Sequence, residues 1–173
     1  MNDQHKQPKV TLRALEPEDL DLLYQIENNR ELWQVSNTNV PYSRYVLHDY
    51  LARTTGDIYT DKQVRLVIDN AEETTVGLID LQDFSPQHLR AEVGIVILQQ
   101  YRHQGYALAA LSALLDYARD VLRLHQLYAY VDSDNHASCQ LFDEAGFKER
   151  TILHDWLITP EGYHDACLLQ CFL

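Results

Sequence analysis

The chain is poor in cysteine, in basic residues and in long apolar runs, and each scarcity removes a class of function. Its only cysteines are Cys139, Cys167 and Cys171. An odd number without CxxC spacing supports neither a disulfide framework nor a zinc site, so free, mostly buried thiols are expected. No window approaches the roughly 18 uninterrupted apolar residues of a membrane span, and the first nine residues, MNDQHKQPK, hold no apolar run of the kind a signal peptide needs. A cytoplasmic protein with no membrane partner is expected. Lys and Arg number 14 against 26 Asp and Glu, a formal charge of −12. Such a surface repels a phosphate backbone, so no nucleic-acid partner is expected. The same charge suits a cationic acceptor such as an amine, although solubility is the commoner cause of an acidic surface. The eight histidines are scattered without an i, i+4 pair and a third ligand, and no metal is expected.

What remains is an ordinary single-domain composition. The 173 residues are 46% apolar and 23% charged, enough to build one core and far from a composition that prevents folding. Residues 1–9 read as a flexible N-terminus and 10–173 as one domain, with no linker, repeat or low-complexity tract. Val10 to Leu15 alternates like a first strand, Pro17 suits a helix's first turn, and Leu20, Leu23, Ile26 and Glu27 predict a helix to about Asn29. Ser43 is a candidate N-cap for a second helix running to about Thr54. Gln63 to Asp69, Thr75 to Phe84 and Ala91 to Leu98 are β-branched runs separated by polar turns, an antiparallel meander. A long helix from Tyr106 to about Leu122, a strand from Leu127 to Asp132, a helix capped by Asn135 or Asp134 and ending near Ala145-Gly146, and two last strands complete a mixed α/β domain.

Two local patterns carry chemistry. The strand IVIL runs through QQY into Arg102-His103-Gln104-Gly105-Tyr106-Ala107 and directly into a helix. Free backbone N–H groups and the positive end of the helix dipole then converge on one place, an anion site suited to phosphate. The second pattern is Asn135, Ser138, Phe142 and Gly146-Phe147, beginning just after a strand.

Together the patterns resemble the GNAT superfamily of acetyl-coenzyme A-dependent N-acetyltransferases. The first is similar to the GNAT pyrophosphate loop, with His103 at a place often filled by glycine or arginine. The second is similar to the segment whose Asn hydrogen-bonds the pantetheine arm and whose Gly-Phe pair closes the helix. The opening RALEPEDLDLLYQIENN resembles the polyamine and ribosomal-protein N-terminal acetyltransferase branch. The resemblance implies a GNAT fold, α/β (α+β), whose mixed, mostly antiparallel sheet of about six or seven strands is splayed and flanked by about four helices. It implies acetyl-CoA as co-substrate, wedged where the strand Ala91 to Leu98 parts from Leu127 to Asp132. Backbone groups of Ile95, Val96 and Ile97 would pair with the pantetheine like an added strand. Arg102, His103, Gln104, Gly105, Tyr106 and Ala107 would hold the pyrophosphate, and Asn135 and Ser138 would touch the pantetheine arm.

The reaction needs an unprotonated amine, an oxyanion donor and an acid for the departing thiolate. Many GNAT enzymes place a tyrosine acid where this chain has Phe142, which has no proton to give. Ser138 is the substitute that the resemblance suggests, as a hydrogen-bond donor to thiolate. Its structural alternative is a small residue in a helix's first turn. Cys139 reads as core. Glu92 is the first choice of base, a carboxylate among apolar strand residues; a salt bridge to Arg90 is the bland alternative. Glu27, Trp33 and Asp80 are candidate acceptor-site residues, with Tyr42, Tyr45 and Tyr50 as further aromatics for a pocket between the first two helices. The expected function is acetyl transfer to a primary amine (polyamine, peptide N-terminus or small amine) by direct attack. The alternative is a catalytically weak acyl-CoA-binding or sensing module of the same fold. A homo-oligomer is left open.

Overall fold

A computed structural model describes residues 7–33 and 40–173. Of the expected flexible terminus, residues 1–6 lie outside the described residues. Among the described residues the order is β1 (Val10–Ala14), α1 (Leu20–Glu27), α2 (Arg30–Trp33), α3 (Arg44–Arg53), α4 (Ile58–Asp61), β2 (Val64–Asn70), β3 (Thr75–Ser85), β4 (Arg90–Ile97), α5 (Tyr106–Asp120), β5 (Gln126–Asp132), α6 (His136–Glu144), β6 (Glu149–Thr159) and β7 (Gly162–Phe172). The seven strands form one sheet in the order β1-β2-β3-β4-β5-β7-β6. Every neighbouring pair is antiparallel except β4 and β5. Among the described residues no helix is long and apolar enough to cross a membrane.

The expected helix starts are made by the expected side chains. Ser43 Oγ accepts the Val46 N–H and Asn135 Oδ1 accepts the Ser138 N–H, each satisfying a first-turn amide that has no carbonyl four residues before it. Gly146, at φ 103°, takes the left-handed turn beyond α6. The two single-turn helices α2 and α4 were not expected, because four residues are too few to display a helical period.

The sheet is covered on both faces. On the back, Ala110, Leu111, Leu114 and Ala118 of α5 and Cys139 and Phe142 of α6 bury Ile79, Leu81, Ala91, Val93, Leu127 and Ala129. On the front, Leu23 and Ile26 of α1 and Leu47 of α3 close over Val67 and Leu78. Each of the Leu, Ile, Val and Phe side chains among these contributes about 1.5–3 kcal/mol by leaving water, and each alanine methyl less. The front cover is tied down by one guanidinium. Arg13 Nη1 and Nη2 grip Asp19 at 2.7 and 3.0 Å while Nε reaches Asp69 at 2.6 Å, joining β1, the turn before α1 and β2. This accounts physically for the Arg and Asp of the RALEPED opening.

Candidate active site

β4 and β5 are paired over only three positions, Arg90 with Gln126, Ala91 with Leu127 and Glu92 with Tyr128. Beyond them β4 continues to Ile97 and β5 to Asp132 without a further pair. The expected splay is therefore present. Ile95, Val96 and Ile97 are paired with Ile79, Leu78 and Gly77 on the β3 side; the Val96 carbonyl faces β3 beside Gly77, so the alternate residues Ile95 and Ile97 turn their backbone groups to the edge of β4 that has no strand beside it.

The crevice leads to the start of α5. The chain leaves β4, makes one 3-10 turn over Gln99–Tyr101, passes His103 at φ 60° and enters the 15-residue α5 from Gly105 at φ 84°. The first α5 amide bonded within the helix is that of Ala109, to the Gly105 carbonyl, so the N–H groups of the turn before it are left for an anion. Arg102 Nε donates to the Ile97 carbonyl at 3.1 Å and Gln104 Nε2 to the Gln100 carbonyl at 2.9 Å, bracing the loop. Arg102, His103, Gln104 and Gly105 are exposed; Tyr106 packs edge-on against Tyr101 and Ala107 is half-buried. A Cβ on Gly105 would sit 3.0 Å from Pro8 Cδ. The glycine is thus demanded by its left-handed φ and by the close passage of Pro8.

On the back face, Asn135 caps α6 and Ser138 is half-buried one turn in. The structure gives Asn135 its capping task and leaves its amide nitrogen, and the Ser138 hydroxyl, without a hydrogen bond among the described residues. Cys139 is buried, and burial together with the neighbouring Cys167 pushes its thiol pKa up, against the thiolate a nucleophile needs. Phe142 is 4% exposed and packs edge-to-face on Phe147 at 5.0 Å.

The front face holds the acidic candidates. The carboxyl of Glu92 is raised from its ordinary value by burial and by the nearby Asp83, against a hydrogen bond from Gln82. The alternative Glu92–Arg90 ion pair does not occur among the described residues. Glu27 and Asp80, 53 residues apart in number, meet on Arg65: Nη1 pairs with Glu27 Oε1, while Nε and Nη2 take both Asp80 oxygens at 2.9 and 3.0 Å. Trp33 Nε1 donates to the Glu27 carbonyl at 2.8 Å, so all three acceptor-site candidates are one assembly. Burial raises the Asp80 carboxyl despite Arg65. Of the other aromatics, Tyr42 is clamped by Asn28 through both backbone groups and Tyr50 is half-buried, but Tyr45 is 80% exposed and does not line a pocket with them. Its α3 position faces solvent because Leu47 takes the inward direction.

Residues 9–148 match the family model described as an acetyltransferase (GNAT) domain. The chain belongs to the GNAT acetyltransferases. It is 29% identical over 158 residues to spermidine N(1)-acetyltransferase of Vibrio cholerae, covering 91% of this chain and 90% of that one. It is 31% identical over 166 residues to the Escherichia coli K12 enzyme of the same name, covering 93% and 86%. The crystal structure of the V. cholerae spermidine N-acetyltransferase in complex with CoA and spermine superposes with a TM-score of 0.84 at 28% identity, over 94% of this chain and 95% of that one. This GNAT chain is accordingly an acetyl-CoA-dependent acyltransferase that moves an acetyl group to an amine.

Within this GNAT domain, sequence reasoning missed several residues that line the same region. Arg65, which joins Glu27 to Asp80, lay in a strand read only for its apolar pattern. Tyr128 donates its hydroxyl to Asp83 Oδ2, stands edge-on to Tyr130, and Tyr130 stacks on Trp156 at 5.8 Å. Asp132, Asp134 and His164 bring ligand-type atoms within 4.8 Å of one another, with His164 Nδ1 at 3.2 Å from Asp132. Asp132 and His164 are 32 residues apart, a spacing no local motif announces.

Proposed function

We propose that this acetyltransferase acts on a primary amine of a polyamine. The observation that carries the reading is the acidity of the front face: Glu27 and Asp80 share the Arg65 guanidinium, and the carboxyl of Glu92, raised by burial and by Asp83, stands on the same face. Carboxylates gathered at a partly buried site favour a substrate that brings its own positive charge. The spermidine acetyltransferases to which the chain is similar support the same class of acceptor. No nucleic-acid partner, no membrane partner and a cytoplasmic location belong to the proposal.

The residues present suit acetyl-CoA by two features, the unpaired β4 edge and the amide-lined start of α5 behind a glycine at φ 84°. Ile95, Val96 and Ile97 would hold the pantetheine by their backbone, Arg102 to Ala107 the pyrophosphate, and Asn135 and Ser138 the arm near sulfur. The bound thioester supplies an electrophilic carbonyl and a thiolate leaving group. Glu92, on the front face, takes the proton of the incoming ammonium; a carboxyl raised by burial is a better base than an ordinary one. Ser138, on the back-face helix, donates to the charge that develops on sulfur. Glu92 and Ser138 reach the reaction from opposite faces through the gap between β4 and β5.

The test is consumption of acetyl-CoA with spermidine, a peptide amino terminus, an amino sugar and a monoamine in parallel. The reading expects the highest kcat/KM with spermidine. A peptide or sugar preference, or tight acetyl-CoA binding without turnover, overturns it. The last outcome would favour the acyl-CoA-binding module, which the missing hydroxyl at Phe142 makes the second reading.

A further inference from the structure

Two glycines interrupt the central strands, for different reasons. A Cβ on Gly77 would lie 2.2 Å from the Val96 carbonyl oxygen, so β3 and β4 approach there only because nothing projects. Gly94 is under no such constraint. A Cβ built on it would meet only Asp80 Oδ2 at 3.7 Å, Asp80 Cβ at 3.8 Å and Gln82 Nε2 at 3.8 Å, ordinary contact distances. Its φ lies outside the left-handed region. Alanine fits the fold, and in a strand interior it would suit it better, because glycine costs conformational entropy and packs nothing. A glycine the fold does not require, in mid-strand, marks a place where a ligand comes close to the backbone.

The surroundings say which ligand. Gly94 is partly exposed and its bare Cα faces the front, opposite Asp80 in the β3–β4 register, with Glu92 two residues earlier on the same face. It lies two residues past the last β4–β5 pair, at the narrow end of the crevice. With the pyrophosphate at the α5 end and the pantetheine along Ile95 to Ile97, the acyl end falls at the next positions back along β4, over residues 93 and 94. This step rests on the cofactor placement proposed above. We propose that Gly94 determines acceptor access: the missing side chain leaves a hollow of about one methyl group, and through it a primary ammonium reaches the thioester between Asp80 and Glu92.

The experiment is Gly94→Ala and Gly94→Val, measured for Tm, for the acetyl-CoA Kd by calorimetry, and for kcat and KM with spermidine and with a monoamine. Alanine should keep the acetyl-CoA Kd within about twofold and hold Tm or raise it by about 1–4 °C. It should lower kcat/KM for both amines by about tenfold to a hundredfold, the scale of a 1 Å misplacement of reacting groups. Valine should lower it further. Wild-type kinetics in Gly94→Ala overturn the access role alone. A fall in Tm of several degrees together with lost acetyl-CoA binding shows a glycine needed by the fold, and also overturns it. A wild type that acetylates no amine overturns the functional reading and the access role together.

Discussion

Replacing Arg65 by methionine isolates what holds the acceptor face together. The guanidinium is 25% exposed as a side chain, Glu27 15% and Asp80 20%, so its removal takes the cation they share from two mostly buried carboxylates. Removing one partner of a buried ion pair costs about 3–5 kcal/mol, and the residual exposure here puts the expectation near the lower end, about 3 kcal/mol. For a chain of this size that lowers Tm by roughly 6–12 °C. The pH dependence carries a second sign. Asp80 already has its carboxyl raised by burial, so the native state binds its proton more readily than the unfolded chain, and wild-type stability falls as pH rises from the ordinary carboxylate range through that raised value. Without Arg65 the carboxyl rises further and the window widens toward neutrality. The deficit of Arg65→Met relative to wild type should therefore be largest near pH 7.5 and shrink near pH 5. Thermal melts followed by circular dichroism at the two pH values decide it. A Tm within about 2 °C of wild type at both would refute the claim that Arg65 neutralises buried charge.

Other outcomes follow from single contacts. Gly105→Ala must carry φ 84° and a 3.0 Å approach to Pro8, so it should weaken acetyl-CoA binding by about tenfold or more in calorimetry, with Gly105→Asp worse because its charge opposes phosphate. Ser138→Ala should lower kcat about tenfold to a hundredfold while leaving KM for acetyl-CoA nearly unchanged, which steady-state kinetics separate. Asp83→Asn removes a negative neighbour of Glu92, so the acid limb of the kcat against pH profile should move to lower pH; an unmoved limb excludes Glu92 as its source.

The fold was legible wherever a period could show itself. β1, α1, α3 and α5 lie where alternation or three-and-four spacing put them, β2, β3 and β4 where β-branched runs between polar turns put them, and α6 where its cap and Gly146 bracket it. The caps Ser43 and Asn135 were legible because a side chain three residues before an amide is a local event. Arg65 was not, since its partners are set by the β2–β3 register and by how α1 crosses the sheet, neither of which one sequence states. Glu27 and Asp80 were each named, yet nothing local said that they share a cation. Gly105 was read as a glycine that lets phosphate approach the backbone, and the structure adds two local reasons, its φ of 84° and the tight passage of Pro8. Gly94 passed unnoticed inside AEVGIVIL, because an apolar run reads as a strand with or without a gap in its side chains.

The three pairs between β4 and β5 make the sheet two plates, β1 to β4 and β5 to β7 with β6, joined along a short seam. Past that seam no strand pair joins the plates among the described residues. An extended molecule lying along Ile95 to Ile97 would act as missing rungs, and its binding would be measured in the rigidity of the whole sheet as well as in its own affinity. Amide hydrogens on the open edge of β4 should exchange quickly without acetyl-CoA and slowly with it, while those facing β3 keep their protection in both states. The protein would then report its own saturation as mechanical continuity across its middle.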